Sequence, residues 1–426
     1  MGKNIAMCGV SLIGMAWAAS AAAQSAPEVQ ETVGSGLNEI VVTAQRRSEN
    51  LQSVPVTVTA LTADSLASGA ISDTTDLQVA VPGLVAFQTA NNFTPFIRGV
   101  GTNQTASGSE ASVAIYIDGV YQGGKPGNVM ELGAIERIEV LKGPQGTLYG
   151  RNATGGAINI VTRTPSHDPE IELELGYGRF DEKRVKAYAS GAITDTLLAS
   201  VSLTGRWSDG YIRDVFRNKD QAALEQSVAM AKLRWIPNDR LTAELSASYA
   251  YVDDPTFNSA HVTPGTISTA AALGFLAPTG NDEAATSAQD PFSQVKTTRV
   301  SLNTTYDLDA IRLVSITGYI DMDAFSFFDI DSSPANIQHL NVGQVGEQFS
   351  QELQVQSNND GPFSWIVGAY YLKFDEGYGD RPKPYHLMVG LPYPYRPADL
   401  LQPGALAIGR SAIVKTETGS AFFQGT

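Results

Sequence analysis

From residue 170 onward, apolar and polar positions alternate along the chain. The runs 171–178, 184–193, 197–207, 228–236, 241–252, 297–307, 311–322, 348–357, 363–374 and 413–424 each read as a β-strand, ten in all. Leu197, Ala199, Val201, Leu203, Gly205 and Trp207 share one apolar face. Leu241, Ala243, Leu245, Ala247, Tyr249 and Tyr251 share another, and Trp365, Val367, Ala369 and Tyr371 a third. Short connections at 194–196, 237–240, 307–309 and 358–362 alternate with long ones near 208–227, 253–296, 323–347 and 375–412.

A soluble sandwich shows mixed loop lengths. Short and long ends in alternation are what a transmembrane β-barrel produces, with short turns on the periplasmic side. Aromatics near strand ends (Trp207, Tyr211, Tyr249, Tyr251, Tyr319, Phe325, Phe327, Phe328, Tyr370 and Tyr371) fit an interfacial girdle as a cluster. After the N-terminus no apolar run is long enough for a membrane helix. That leaves a barrel open, because its signal is hidden in alternation. With 43% hydrophobic and 8% aromatic residues the chain is not of disordered composition. A net charge of −15 argues against a nucleic-acid partner, which needs a basic surface.

Residues 48–165 have a different texture, compact and mixed α/β. Residues 54–60 read as a strand. Thr62-Ala-Asp-Ser-Leu66 opens a short helix, and Asp73 caps a second one that Val81-Pro82-Gly83 stops. Residues 95–99 and 113–120 read as strands, the latter ending in an Asp-Gly turn, and another strand runs 135–141.

Residues 1–23 read as a secretion signal: Lys3, an apolar stretch 5–19, then Ala21-Ala22-Ala23. Cys8, the one cysteine, leaves with it, so no Cys nucleophile or Cys metal site is expected. Residues 24–37 are small and polar and read as disordered. The four histidines (167, 261, 339 and 386) are isolated, with no metal-ligand spacing. No nucleophile elbow, phosphate loop or dinucleotide fingerprint occurs. The Asp pairs near 253–254 and 329–331 read as loop solubilisers rather than calcium ligands. Neither enzyme activity, cofactor nor resident metal is expected.

The densest motif is the block 135–162, IERIEVLKGPQGTLYGRNATGGAINIVT. It joins two alternating strands through a Gly-rich crossing, with Gly143, Gly146, Gly150, Gly155 and Gly156 where the chain turns tightly or another backbone comes close. Together with Phe96-Ile-Arg-Gly99 and Ile115-Tyr-Ile-Asp-Gly119, this block resembles the plug domain of TonB-dependent outer-membrane transporters. The resemblance covers Ser48 to Thr162. It implies an N-terminal α/β plug (48–165) inside an antiparallel transmembrane β-barrel (170–426), behind a leader (24–47).

The same resemblance makes Glu39, Ile40, Val41, Val42, Thr43 and Ala44 a Ton box, the segment gripped by a TonB-type periplasmic energy-transducing protein. An extended, β-branched segment suits strand addition. A structural or gating role falls to Arg98, Gly99, Asp118, Gly119, Glu136, Arg137, Glu139, Lys142, Gly143, Gly146, Tyr149, Gly150, Arg151, Gly155 and Gly156, the charged members as ion pairs within the plug or to the wall. Plug apices at 88–94, 101–112 and 121–128 face the ligand in the family. Here they offer Asn91, Asn92, Asn103, Gln104, Tyr121, Gln122 and Lys125, and contain no Arg. Arg clusters suit strongly anionic ligands, so this face suits neutral or mildly charged ones.

The family's commonest cargo is an iron chelate. A neutral sugar, a cobalamin-like molecule or an aromatic compound is the alternative, and a passive porin, a surface signalling receptor or a soluble β-sandwich enzyme are rivals of other classes. Outer-membrane lipid and lipopolysaccharide are the expected surroundings. Plugged barrels have about 22 strands, so ten strands are expected to be roughly half a barrel, one that does not insert stably alone.

Overall fold

The computed structural model describes residues 41–43, 46–47, 49–52, 54–89, 92–104, 106, 108–128, 132–256, 272, 274–275, 282–286, 290–329, 334, 339–358, 363–378, 385–389, 406–410 and 412–425. The expected signal, the leader up to residue 40, and Ala44 lie outside these.

The N-terminal domain contains β1 (Val41–Val42), β2 (Glu49–Asn50), β3 (Thr57–Thr62), α1 (Ala63–Ser68), α2 (Leu77–Ala80), β4 (Leu84–Thr89), β5 (Asn92–Ile97), β6 (Val113–Ile117), β7 (Val120–Tyr121), β8 (Ile135–Lys142), α3 (Gly146–Tyr149) and β9 (Gly156–Thr162). Its central sheet runs β3-β8-β9-β6-β7, with β9 and β6 parallel. Alternation splits this sheet into two faces. Ile115, Ile117, Ile138, Val140, Ile158 and Ile160 point towards α1, α2 and the β4–β5 hairpin. Ala114, Tyr116, Leu141 and Ala157 point the other way, into a cluster that includes Ile366 and Leu372 of the large sheet.

Thr62 caps α1 by accepting from Ser65 N at 3.3 Å. Asp73 accepts from Thr75 N at 2.8 Å and Asp76 N at 3.1 Å, so it caps the turn before α2, and the helix itself starts only at Leu77. Two expectations shift. Residues 84–89 form a strand that local alternation did not announce, paired with β5 into a hairpin. Arg98 and Gly99 lie beyond β5, in a turn closed by Val100 N to Ile97 O at 3.0 Å.

The second region contains β10 (Glu170–Gly178), β11 (Glu182–Thr194), β12 (Leu197–Ser208), β13 (Ile212–Asp214), β14 (Lys219–Gln221), β15 (Leu224–Asn238), β16 (Leu241–Asp253), β17 (Glu283–Ala284), β18 (Phe292–Asp307), β19 (Ile311–Asp329), β20 (His339–Ser357), β21 (Trp365–Tyr378), β22 (Tyr385–Val389), β23 (Leu406–Arg410) and β24 (Ala412–Gly425). The ten strands expected from alternation form one antiparallel path, β10-β11-β12-β15-β16-β18-β19-β20-β21-β24. Several run further at their loop ends than alternation indicated, β19 and β20 most of all. The short strands β13, β14, β17, β22 and β23 lie inside stretches expected to be loops. The first hairpin departs from the long-loop rule, turning through Arg179–Asp181 alone.

The orientation of the strand faces decides what this sheet is. Its apolar stripes look outward: Val201 is 50% exposed, Leu203 52%, Leu245 42% and Val367 43%. Its polar stripes are the buried ones. Along β20, Gln344, Gln348, Ser350, Glu352, Gln354 and Gln356 all point inward. A soluble sandwich buries its apolar faces. A wall with lipid outside and polar contents inside does the reverse. Among the described residues no helix is long and apolar enough to cross a membrane, which says nothing about crossing by strands.

Candidate functional site

The site is the seam between the N-terminal domain, the segment 41–47 that enters it, and the wall's polar face. β1 pairs with β2, Val41 opposite Asn50 and Val42 opposite Glu49, and Val42 is fully buried. Thr43 then turns onto Glu139. Its N–H donates to Oε1 at 2.8 Å, and its hydroxyl lies 3.1 and 3.2 Å from the two carboxylate oxygens. Glu139 is fully buried in the middle of β8. It also accepts from Arg137 Nε at 2.8 Å and Asn159 Nδ2 at 3.2 Å. A buried carboxylate needs such a set of donors.

Three residues on, Arg46 lies over the rings of Tyr116 and Tyr149, 4.8 Å from each centroid, and pairs with Glu352 of the wall at 3.4 Å. Burial is the largest single influence and works against its charge, but Glu352, Tyr116, Tyr149 and Tyr370 together outweigh it and the Arg46 pKa rises. Arg47 donates to the Trp365 carbonyl and to Ser357 Oγ.

Deeper in, Asp118 and Gly119 form the turn between β6 and β7 with φ of +47° and +85°. Asp is one of the few side chains that tolerates this region, and here its carboxylate is fixed by Thr162 N at 2.8 Å and Thr162 Oγ1 at 2.6 Å. Lys232 reaches in from β15 to Asp118 at 3.1 Å and to Glu244 at 3.0 Å. Asn303 donates to Asp118 O at 2.9 Å. Higher up, Gln348 donates to Tyr121 O at 2.6 Å and accepts from Gly123 N at 3.0 Å, while Arg299 donates to Gln122 Oε1 at 2.8 Å and to Gly127 O. The wall therefore holds the domain at several heights, by polar contacts the buried stripes supply.

A sequence profile of the TonB-dependent Receptor Plug Domain matches residues 50–157. That segment belongs to the TonB-dependent receptor plug domains. The chain is 33% identical to the pesticin receptor of Yersinia pestis over 204 residues, 47% of this chain and 30% of that receptor. It is 26% identical to the vitamin B12 transporter BtuB of Vibrio vulnificus over 204 residues, 46% of this chain and 32% of that transporter. The crystal structure of the ferric yersiniabactin uptake receptor FyuA from Yersinia pestis shares its fold. There the TM-score is 0.68 at 22% identity, over 87% of this chain and 61% of FyuA. The aligned stretch thus spans about a third of the length of these curated relatives. With its outward apolar stripes, the chain is an outer-membrane protein that crosses by strands.

Within the plug, the expected gating charges divide. Arg137 pairs with Glu136 and Glu139, and Arg151 pairs with Glu110. Among the described residues Arg98 and Lys142 form no ion pair. Lys142 instead donates to Pro82 O at 2.9 Å, and Arg98 sits exposed at φ +52°. The glycines hold the crossing together. Gly156, at φ +147°, leaves its would-be Cβ 2.2 Å from Leu141 O, so no side chain fits. Gly143 and Gly150 also take positive φ, Gly146 opens α3, and Gly155 lies against Val100 O. The Tyr149 ring faces Arg46, and its hydroxyl lies 3.4 Å from Thr43 O.

The ligand-facing candidates differ in burial. Asn92, Tyr121, Gln122 and Lys125 are buried; only Asn103 and Gln104 of that set are exposed, and Asn91 lies outside the described residues. The cause is the wall. Gln348 and Arg299 take up the 121–127 loop, and Lys125 Nζ laces the apices together through Gln104 O at 2.7 Å and Ser109 Oγ at 2.5 Å. Burial lowers the Lys125 pKa, against the pull of Glu376.

Sequence reasoning passed over Lys232, Arg299, Asn303, Gln348 and Glu352. Their signal was present: charged or amide side chains on the polar stripe of a membrane strand face the lumen and carry function by default. Among the described residues no group of His, Cys, Asp and Glu could hold a metal.

Proposed function

We propose that this receptor takes up an iron chelate across the outer membrane, driven through its Ton box by a TonB-type periplasmic protein, and that it is a transporter rather than an enzyme. The observation that carries this reading is the seating of Thr43 on Glu139. A pull on 41–43 strips donors from a carboxylate buried in the plug's central sheet. An unsatisfied buried group costs about 1–3 kcal/mol, more for a charge, so the pull loosens β8 itself rather than a peripheral loop. Support for the cargo comes from relatives named for pesticin and for ferric yersiniabactin. Outer-membrane lipid and lipopolysaccharide would cover the apolar outer face.

A cobalamin-like, neutral or aromatic cargo is the second reading. It is favoured by Arg-free plug apices and by the vitamin B12 transporter among the relatives. A passive pore is disfavoured, since the plug is bonded to the wall at many heights. The test is deletion of residues 39–44 in the full-length receptor. Cells should still bind a ferric chelate at their surface while accumulation of radioactive iron from it stops. Unchanged accumulation would defeat the mechanism.

A further inference from the structure

Between α3 and the wall strands β20, β21 and β24 lies a chamber of about 250 Å³. Two larger cavities, about 340 and 310 Å³, are lined by charged groups such as Arg163 and Glu172, or Lys232 and Glu244. This one differs. Tyr116, Tyr121, Tyr149, Tyr370 and Phe422 surround it, and the Arg46–Glu352 pair closes one side. Its rings already pack as aromatic clusters do: Tyr116 stands edge-on to Tyr149 at 5.1 Å and tilted to Tyr121 at 5.7 Å.

Polar handles are few and placed on the rings. The Tyr370 hydroxyl is buried beside Ser350 without a well-formed hydrogen bond. The Tyr121 hydroxyl accepts from Asn152 Nδ2 at 2.7 Å and keeps its own hydrogen to donate. Burial pushes its pKa up to about 12, so it stays a donor at neutral pH. A dry cavity of roughly 150 Å³ already holds a benzene ring. The chamber here has room for one ring carrying hydroxyls. Apolar walls with a few convergent polar groups are the mark of a small-molecule site.

We propose that this chamber is a transit subsite for a hydroxylated aromatic ring of the cargo. The placement rests on the uptake reading: Arg46, three residues after Thr43, leaves with the Ton box segment when that segment is withdrawn, and the chamber then opens where it stood. Ring binding itself needs no transport, so it can fail while uptake stands, and the reverse.

The experiment uses the full-length receptor purified in detergent micelles, with catechol as probe and trans-1,2-cyclohexanediol as its saturated counterpart, read by saturation-transfer NMR. Catechol should bind saturably in the millimolar range and the diol should not. Tyr370→Phe, which removes only the hydroxyl, should weaken catechol by about five-fold, the share of one hydrogen bond. Ser420→Trp, which fills the chamber from β24, should abolish the signal. Should that variant fail to fold, Tyr370→Phe alone carries the test. The proposal is overturned by a catechol signal no larger than in empty micelles, by equal response to the diol, or by catechol binding unchanged in Tyr370→Phe.

Discussion

The plug and the wall are built from the same alternation and use it in opposite senses. In the plug, Ile138, Val140 and Ile160 are fully buried. In the wall, Val201 and Leu203 are half exposed, whereas Lys232 and Gln348 are 2% and 1% exposed. Water around the plug and lipid around the wall account for the inversion. A strand sorts its two rows by which solvent each must meet. The seam is therefore polar on the wall's side, and the contacts to the plug are made there: Glu352 to Arg46, Lys232 to Asp118, Gln348 to the apex loop.

The comparison can be broken by treating both regions as if they were the same. Ile138→Ala, in the plug core, should cost about 2–5 kcal/mol through the cavity it leaves, seen as earlier proteolytic release of the plug in a urea titration. A loss below about 1 kcal/mol would mean that the plug core collapses around the gap. Leu203→Arg, on the outer face of β12, should cost about 2–4 kcal/mol in lipid vesicles if that face meets the bilayer midplane. Refolding yield and urea midpoint would report it, and a neutral result would place Leu203 away from hydrocarbon.

The smallest effect sharpens the boundary itself. Asp73 belongs to the plug and faces Arg206 of the wall at 3.6 Å. Burial raises its pKa in spite of hydrogen bonds from Thr75 and Asp76. A raised carboxyl binds more protons folded than unfolded. Its contribution is therefore greatest below the ordinary value of 3.8 and falls as pH rises through the folded value. Asp73→Asn should flatten that part of the stability profile. A profile that instead rises with pH in the wild type and flattens in the variant would show that Arg206 dominates.

The ten wall strands and the Gly-rich crossing were legible because both are local. Leu197 to Trp207 announces a strand by its own alternation, and Gly156 is required by one close approach. The β4 strand and the loop strands β13, β14, β17, β22 and β23 were not, being short or lacking alternation. Nor were the burial of Tyr121, Gln122 and Lys125 or the seat of Thr43. Thr43 and Glu139 are 96 residues apart, and Gln348 and Tyr121 are 227 apart. No local pattern joins such pairs.

What residue order alone determined is where strands run, which rows are apolar, and that a plug-like block precedes a wall-like one, since dihedral preference and side-chain period act within a few residues. Which row faces lipid, which apex residues vanish into the seam and where the segment 41–43 rests were decided by assembly. Those outcomes depend on the solvent each face meets and on partners that only the closed packing of plug against wall brings within hydrogen-bond reach.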